Sequence, residues 1–293
     1  MFIASVIAAD RLGRGDISAA GDAARAAGIE PLGAAWIEEG SAFDLRFESL
    51  SEADAPTLER AFPTADVVVQ REDLRRRPIL VADMDSTMIA VECIDELADY
   101  AGLKAEIAAI TERAMRGELE FEAALEARVA LLSGLPEEAI DRCREERVRL
   151  TPGGVQLVRT MRANGAWCLL VSGGFDRFAN PVAAEIGFNE SLSNSLCTAY
   201  GRLTGAVAHP ILGAAAKKDA LLRACAARGV PPEQALAVGD GANDIPMLEA
   251  AGLGVAYRAK PAAAAAADAR IAHNDLTALL FAQGYARKDW EEA

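Results

Sequence analysis

An α/β fold built on an open, Rossmann-like parallel sheet is predicted, with a helical cap inserted into it and a small βαββαβ unit ahead of it. Three observations predict this. Apolar runs at residues 79–82, 166–171 and 235–238 are long enough for buried strands and stop at small polar or acidic residues, as strands do where a parallel sheet opens onto a crevice. From about residue 94 to 150, apolar residues recur at spacings of three and four amid Glu and Arg, the pattern of packed helices. Ahead of residue 78, strand and helix patterns follow one another in the order βαββαβ. A chain of 293 residues, 52% of them hydrophobic, is long enough for two or three compact units. The patterns divide it into 1–77, a core made of 78–93 with 151–293, and a cap of 94–150.

The elements justify themselves in order. Residues 2–8 read as a strand, 16–27 as a helix, 31–37 and 43–47 as strands, 52–62 as a helix and 65–69 as a strand, an order that suggests a ferredoxin-like domain. This unit carries no catalytic constellation. Residues 72–78, rich in arginine, read as a solvated linker. The first strand of the sheet follows, and a helical cap placed directly after it could close over the crevice and exclude water. Thr151-Pro152-Gly153-Gly154 marks the return to the sheet, and residues 196–207 form a hairpin through Tyr200-Gly201-Arg202. The alanine run 262–267 is most simply a helix, and no internal repeat is present.

Candidate chemistry gathers at the strand ends. Asp83 and Asp85 stand one residue apart after the first run. Two carboxylates projecting together repel unless a cation joins them. A hard divalent ion such as Mg²⁺ gives that relief, since it takes oxygen ligands from one or two carboxylates and from a substrate phosphate. Gly239-Asp240-Gly241-Ala242-Asn243-Asp244 repeats the architecture, and Asp240 and Asp244 could face the same crevice if the strands share one sheet. Asp244 could also cap the helix beginning near Ile245-Pro246, and the two roles are compatible. Ser172-Gly173-Gly174 offers a hydroxyl and free amides at a helix start, which is either an anion site or an ordinary cap. Lys217 would supply the positive charge that a phosphate needs.

Taken in order, these segments resemble the haloacid dehalogenase superfamily of aspartate-nucleophile phosphatases, over residues 79 to 284, and within it the branch that acts on phosphoserine. The residues that carry the resemblance are Asp83-Met84-Asp85-Ser86-Thr87, Val91-Glu92-Cys93-Ile94-Asp95-Glu96-Leu97-Ala98, and Met115-Arg116-Gly117-Glu118-Leu119-Glu120-Phe121 with Leu125 and Arg128. Ser172-Gly173-Gly174-Phe175, Lys217 and Gly239-Asp240-Gly241-Ala242-Asn243-Asp244 complete the set, and none departs from the family pattern. The resemblance implies that Asp83 is the nucleophile, forming an aspartyl-phosphate. It implies that Asp85 is the acid for the leaving oxygen and then the base for water. Mg²⁺ would be held by the Asp83 and Asp240 carboxylates and the Asp85 backbone carbonyl, with Asp244 orienting that site from behind. Ser172, the Gly173 amide and Lys217 would carry phosphoryl oxygens, and Asn243 would touch substrate or phosphate.

The substrate so implied is O-phospho-L-serine, hydrolysed to L-serine and phosphate in the last step of serine biosynthesis. Glu92 suits its ammonium, and the planar fork of Arg128 suits its carboxylate. Phe121, Leu125 and Arg128 fall at i, i+4 and i+7, one face of a helix, which could instead be plain core with Arg128 solvated at its rim. Residues 1–77 resemble the amino-terminal regulatory regions, akin to the amino-acid-binding ACT fold, of longer family members. Homodimerisation or a spacer role fits them at least as well as serine sensing.

Composition narrows the field. No run reaches the length of a membrane span and the first residues lack a basic start and cleavage site, so no membrane association and a cytoplasmic location are expected. A net charge of −14 disfavours nucleic acid as a partner. Five widely spaced cysteines and two histidines argue against a disulfide scaffold and a zinc site. Two other activities stay open: a phosphatase or phosphotransferase using another small phosphomonoester or an acceptor such as homoserine, and a non-catalytic amino-acid-binding regulator.

Overall fold

The computed structural model describes residues 1–50, 54–115 and 118–292. The first unit contains β1 (Phe2–Ala8), α1 (Arg14–Ala26), β2 (Gly33–Glu38), β3 (Ala42–Phe47), α2 (Ala55–Ala61) and β4 (Ala65–Arg71). Its strands form an antiparallel sheet in the order β2-β3-β1-β4, so the βαββαβ, ferredoxin-like arrangement is present. The expected start of its second helix at Glu52 lies outside the described residues, as do Arg116 and Gly117. Alternation along the strands gives this sheet two buried faces. Val6, Phe43, Leu45 and Val67 pack with Ala20, Ala24 and Leu58 from the helices, while their neighbours Ile7, Ala42 and Val68 join the core of the second unit.

That second unit begins with β5 (Ile79–Ala82) and continues through α3 (Cys93–Tyr100), α4 (Lys104–Met115), α5 (Phe121–Leu131) and α6 (Glu138–Arg147). It then runs through α7 (Gly154–Ala163), β6 (Trp167–Phe175), α8 (Asp176–Ile186), β7 (Glu190–Asn194), a hairpin of β8 (Leu196–Ala199) and β9 (Arg202–Val207), and α9 (Ala214–Arg228). It closes with β10 (Ala235–Gly239), α10 (Ile245–Ala250), β11 (Leu253–Tyr257), α11 (Pro261–Ala266), β12 (Ala269–Ile271) and α12 (Ala278–Ala282). Six parallel strands form one sheet in the order β12-β11-β10-β5-β6-β7. Every residue of β5 and β10 is buried, which their unbroken apolar composition anticipates. In the hairpin turn Tyr200 and Gly201 both take positive φ, at 52° and 73°, matching the twist of the strands that they join.

The arginine-rich segment 72–78 is not a solvated linker. Arg75 donates to the Asp44 carboxylate at 2.8 Å and to the Ala282 and Phe281 carbonyls at the end of α12. Arg77 is buried and donates to the Glu233 carbonyl at 2.7 Å and to Gln70 Oε1 at 3.0 Å. Guanidinium groups spread several donors over carbonyls that a helix terminus leaves unpaired, so these arginines fasten the two units together. Asp66 of β4 adds a second fastening. Its carboxylate accepts from the amides of Ala272, His273 and Asn274 at 2.8, 3.1 and 3.0 Å.

Candidate active site

Numbered in chain order, the parallel strands run 6-5-4-1-2-3 across the sheet, so the chain departs in opposite directions from the central pair β5 and β10. A crevice opens beyond the carboxyl ends of such a pair. Ala82 lies opposite Val238, and the Asp83 amide donates to the Val238 carbonyl at 2.9 Å, which sets Asp83 and Asp240 on adjacent strand ends.

After Asp83 the chain makes a wide turn, Met84–Met88, in which Asp85 is extended and Ser86 takes a φ of 55°. This turn brings the Asp85 carboxylate back over the site. Its Oδ1 accepts from the Cys93 amide at 2.8 Å and its Oδ2 from Ser172 Oγ at 3.2 Å. Ser172, buried near the end of β6, also accepts from the Gly174 amide at 2.8 Å. A β-carbon on Gly174 would lie 2.8 Å from Asp85 Oδ2 and 3.0 Å from Ser172 Oγ, so only glycine fits between them.

Lys217, from the first turn of α9, is buried and sends its ammonium to Asp83 Oδ1 at 2.5 Å and Asp244 Oδ1 at 2.6 Å. The other Asp244 oxygen accepts from the amides of Asp240 and Gly241 at 3.2 and 3.0 Å. Asp244 therefore turns back onto the loop that precedes it, and its side chain makes no capping bond to α10. Gly239 permits this return, since a β-carbon there would lie 2.5 Å from the Asp244 carboxyl carbon.

Oxygens of Asp83, Asp240 and Asp244 lie within 4.8 Å of one another, all three residues being buried. An all-oxygen, carboxylate-rich donor set suits a hard divalent cation such as Mg²⁺. The Asp85 carboxylate stands apart from that cluster, engaged by Cys93 and Ser172. Charge is crowded here. Burial opposes the charge of Lys217, yet Asp83 and Asp244 hold its pKa above the ordinary value. Burial, with the nearby Asp244 and Asp85 charges, pushes the Asp83 carboxyl well above its ordinary value, and the Lys217 ammonium at 2.5 Å offsets only part of that rise. For Asp85, burial and then the neighbouring Glu92 charge push the carboxyl up to about 6.

A cavity of about 100 Å³ opens above these groups, lined in part by Asp83, Asp85, Glu92, Phe121, Arg128, Gly173, Asn243 and Lys260. Glu92 accepts from Ser86 Oγ at 2.8 Å. Helix α5 turns Phe121, Leu125 and Arg128 to this cavity, with Leu125 buried and burial pulling the Arg128 pKa below its usual value; Arg128 is thus not solvated at a rim. The Phe121 ring lies against Gly173, where a β-carbon would stand 3.4 Å from its Cζ. Of the candidate site residues, Asp83, Asp85, Glu92, Phe121, Arg128, Gly173, Asp240 and Asn243 thus line the cavity, and Ser172, Lys217 and Asp244 bond to residues that line it.

Sequence reasoning passes over two residues. Lys260 lies beyond the end of β11, with Nζ 3.5 Å from Asp240 Oδ2. Asn194, buried at the end of β7, donates to the carbonyls of Gly173 and Leu212 at 2.9 and 3.2 Å and accepts from the Leu212 amide at 2.7 Å. It ties the Ser172 loop to the chain that enters α9. The signal that finds Lys260 and Asn194 is position alone, since each follows a strand of the sheet at its carboxyl edge.

A family model described as haloacid dehalogenase-like hydrolase matches residues 80–249. The phosphoserine phosphatase SerB2 of Mycobacterium tuberculosis is 46% identical over 230 residues, covering 78% of this chain and 56% of that protein. This chain thus spans little more than half the length of that relative. Among solved structures, a HAD family hydrolase from Salmonella enterica serovar Typhi aligns with a TM-score of 0.84 at 29% identity, covering 96% and 97% of the two chains. An unliganded probable phosphoserine phosphatase from Vibrio cholerae aligns at 0.79 with 33% identity, covering 98% of this chain and 87% of that one.

Proposed function

We propose, for a chain that belongs to the haloacid dehalogenase-like hydrolase family, that it hydrolyses O-phospho-L-serine to L-serine and phosphate through an aspartyl-phosphate on Asp83. The observation that carries this reading is the pairing of two differently held carboxylates: Asp83 on the Lys217 ammonium, and Asp85 on an amide and a hydroxyl. A carboxylate held against an ammonium and a carboxyl with a raised pKa, side by side, are what a nucleophile and a proton donor require.

In the first half-reaction Asp83 attacks phosphorus, the bond from phosphorus to the serine oxygen breaks, and Asp85 delivers its proton to that oxygen. In the second, Asp85 takes a proton from water, whose oxygen attacks phosphorus and releases phosphate and the Asp83 carboxylate. Ser172, the Gly173 amide and Lys217 hold phosphoryl oxygens throughout. Asp83, Asp240 and the Asp85 backbone carbonyl, with Asp244 behind them, would hold Mg²⁺, which would supply neutralisation of phosphate charge so that an anionic nucleophile can approach. Glu92 takes the substrate ammonium and Arg128 its carboxylate, with Asn243 beside the phosphate and Phe121 covering the site. This makes the chain a cytoplasmic enzyme of serine biosynthesis, with the amino-terminal unit available for homodimer contacts.

Phosphate release from L-phosphoserine, phosphothreonine and an aryl phosphate in the presence of Mg²⁺ tests the proposal. Strong preference for phosphoserine supports it. Activity on the aryl phosphate alone would remove the roles of Glu92 and Arg128, and silence on all three would remove the chemistry.

A further inference from the structure

Lys217 answers two of the three clustered carboxylates, Asp83 and Asp244. The third, Asp240, has a different partner. Lys260 places Nζ 3.5 Å from Asp240 Oδ2, and its side chain is 61% exposed where that of Lys217 is 1% exposed. The two lysines differ in setting accordingly: one is enclosed in the core and the other stands, largely exposed, at the cavity that it lines.

The backbone beneath Lys260 is nevertheless fixed. Its amide donates to the Asp240 carbonyl at 2.9 Å, so the segment is tied to the acidic loop. Pro261 opens α11 immediately after it, and Ala263 anchors that turn in the interior. Two residues earlier Arg258 holds a φ of 43°, a left-handed conformation that is costly without a glycine and that gathers at functional sites. A tethered backbone carrying an exposed ammonium against a carboxylate of the cation cluster is not the setting of an ordinary solvated lysine.

We propose that Lys260 is an exchangeable counter-ion for Asp240, a positioning residue that occupies this carboxylate while no divalent cation is bound and yields it when one arrives. The inference rests on the metal-dependent reading above. A cation drawn to Asp83, Asp240 and Asp244 competes with the ammonium for Asp240 and repels it, so Lys260 lowers the affinity of the cluster for cations. The displaced ammonium remains beside the space that a phosphate fills, where it gains an anionic partner. Cation and phosphate binding therefore assist each other, and that coupling is reciprocal.

Calorimetric titration of Mg²⁺ into the full chain, with and without inorganic phosphate, tests this on the wild type, Lys260→Met and Lys260→Arg. Without phosphate, Lys260→Met binds Mg²⁺ about three- to tenfold more tightly, the size of a solvent-screened repulsion at this range. The gain in Mg²⁺ affinity that phosphate brings to the wild type shrinks in Lys260→Met and survives in Lys260→Arg. Equal or weaker Mg²⁺ binding by Lys260→Met overturns the inference and leaves the catalytic reading standing. A wild type that binds no Mg²⁺ overturns the metal reading and this inference with it.

Discussion

Gly174→Ala places the smallest possible load on the acid–base centre. The added β-carbon would stand 2.8 Å from Asp85 Oδ2, against 3.4 Å for the lower edge of ordinary contact, so Asp85 or the loop must give way by 3.4 − 2.8 = 0.6 Å. Ser172 Oγ, at 3.0 Å, and the Met84 methyl, at 3.3 Å, close the other directions of escape. Proton transfer needs heavy atoms within about 2.6–3.2 Å, so a displacement of this size uses the whole window. Misplacement of a reacting group by about 1 Å costs on the order of 100-fold in rate, and we expect kcat on phosphoserine to fall by about 30- to 100-fold. The second half-reaction, in which Asp85 serves water, is common to all substrates, so the comparison is made on kcat/KM, which reports the first: its loss should be several times smaller on an aryl phosphate, whose leaving oxygen needs little protonation. Steady-state kinetics on both substrates, with a melting curve to verify folding, makes the comparison. Wild-type kcat on phosphoserine, or equal losses of kcat/KM on both substrates in a folded variant, would refute the placement of Asp85.

Other outcomes follow from the same geometry. Arg128→Ala should lower kcat/KM for phosphoserine by about 10- to 150-fold, the worth of roughly 1.5–3 kcal/mol in charged hydrogen bonds, and leave an aryl phosphate nearly untouched; equal losses would make Arg128 structural. Chelation should abolish phosphate release and added Mg²⁺ restore it, whereas full activity in chelator would contradict the role given to the acidic cluster. Asp66→Ala strands three backbone amides at the junction of the two units and should cost about 3 kcal/mol or more in denaturant unfolding. An unchanged midpoint would show that this contact does not hold the amino-terminal unit in place.

The architecture is legible in the sequence where one physical signal dominates. Asp83, Ser172 and Asp240 stand out because each follows an apolar run, although Ser172 taken alone reads equally as a helix cap, and parallel pairing then brings the strand ends together. The face of α5 is legible as a helical stripe, but its periodicity is the same whether it meets core or cavity; only folding decides that Phe121 and Arg128 meet a cavity. Arg75 and Arg77 mislead because a cluster of arginines normally seeks water, and nothing in the string shows that the Ala282 carbonyl at the end of α12 and the Glu233 carbonyl, both far along the chain, await their donors. Asp244 is half legible: its place before Ile245-Pro246 suits a cap, yet the pull of Lys217 and two amides turns the side chain the other way. Lys260 and Asn194 carry no local signal, since their roles come from partners that adjoin them only once the sheet has formed.

The central claim is a covalent phosphoryl group on Asp83. Rapid acid quench of the full chain during turnover of radiolabelled phosphoserine, followed by peptide mapping, addresses it without intermediaries. The account predicts label on the peptide that contains Asp83, chased off by unlabelled substrate and absent from Asp83→Asn, which should also release no phosphate. Turnover that continues in Asp83→Asn, or label that resides on another peptide, would contradict it.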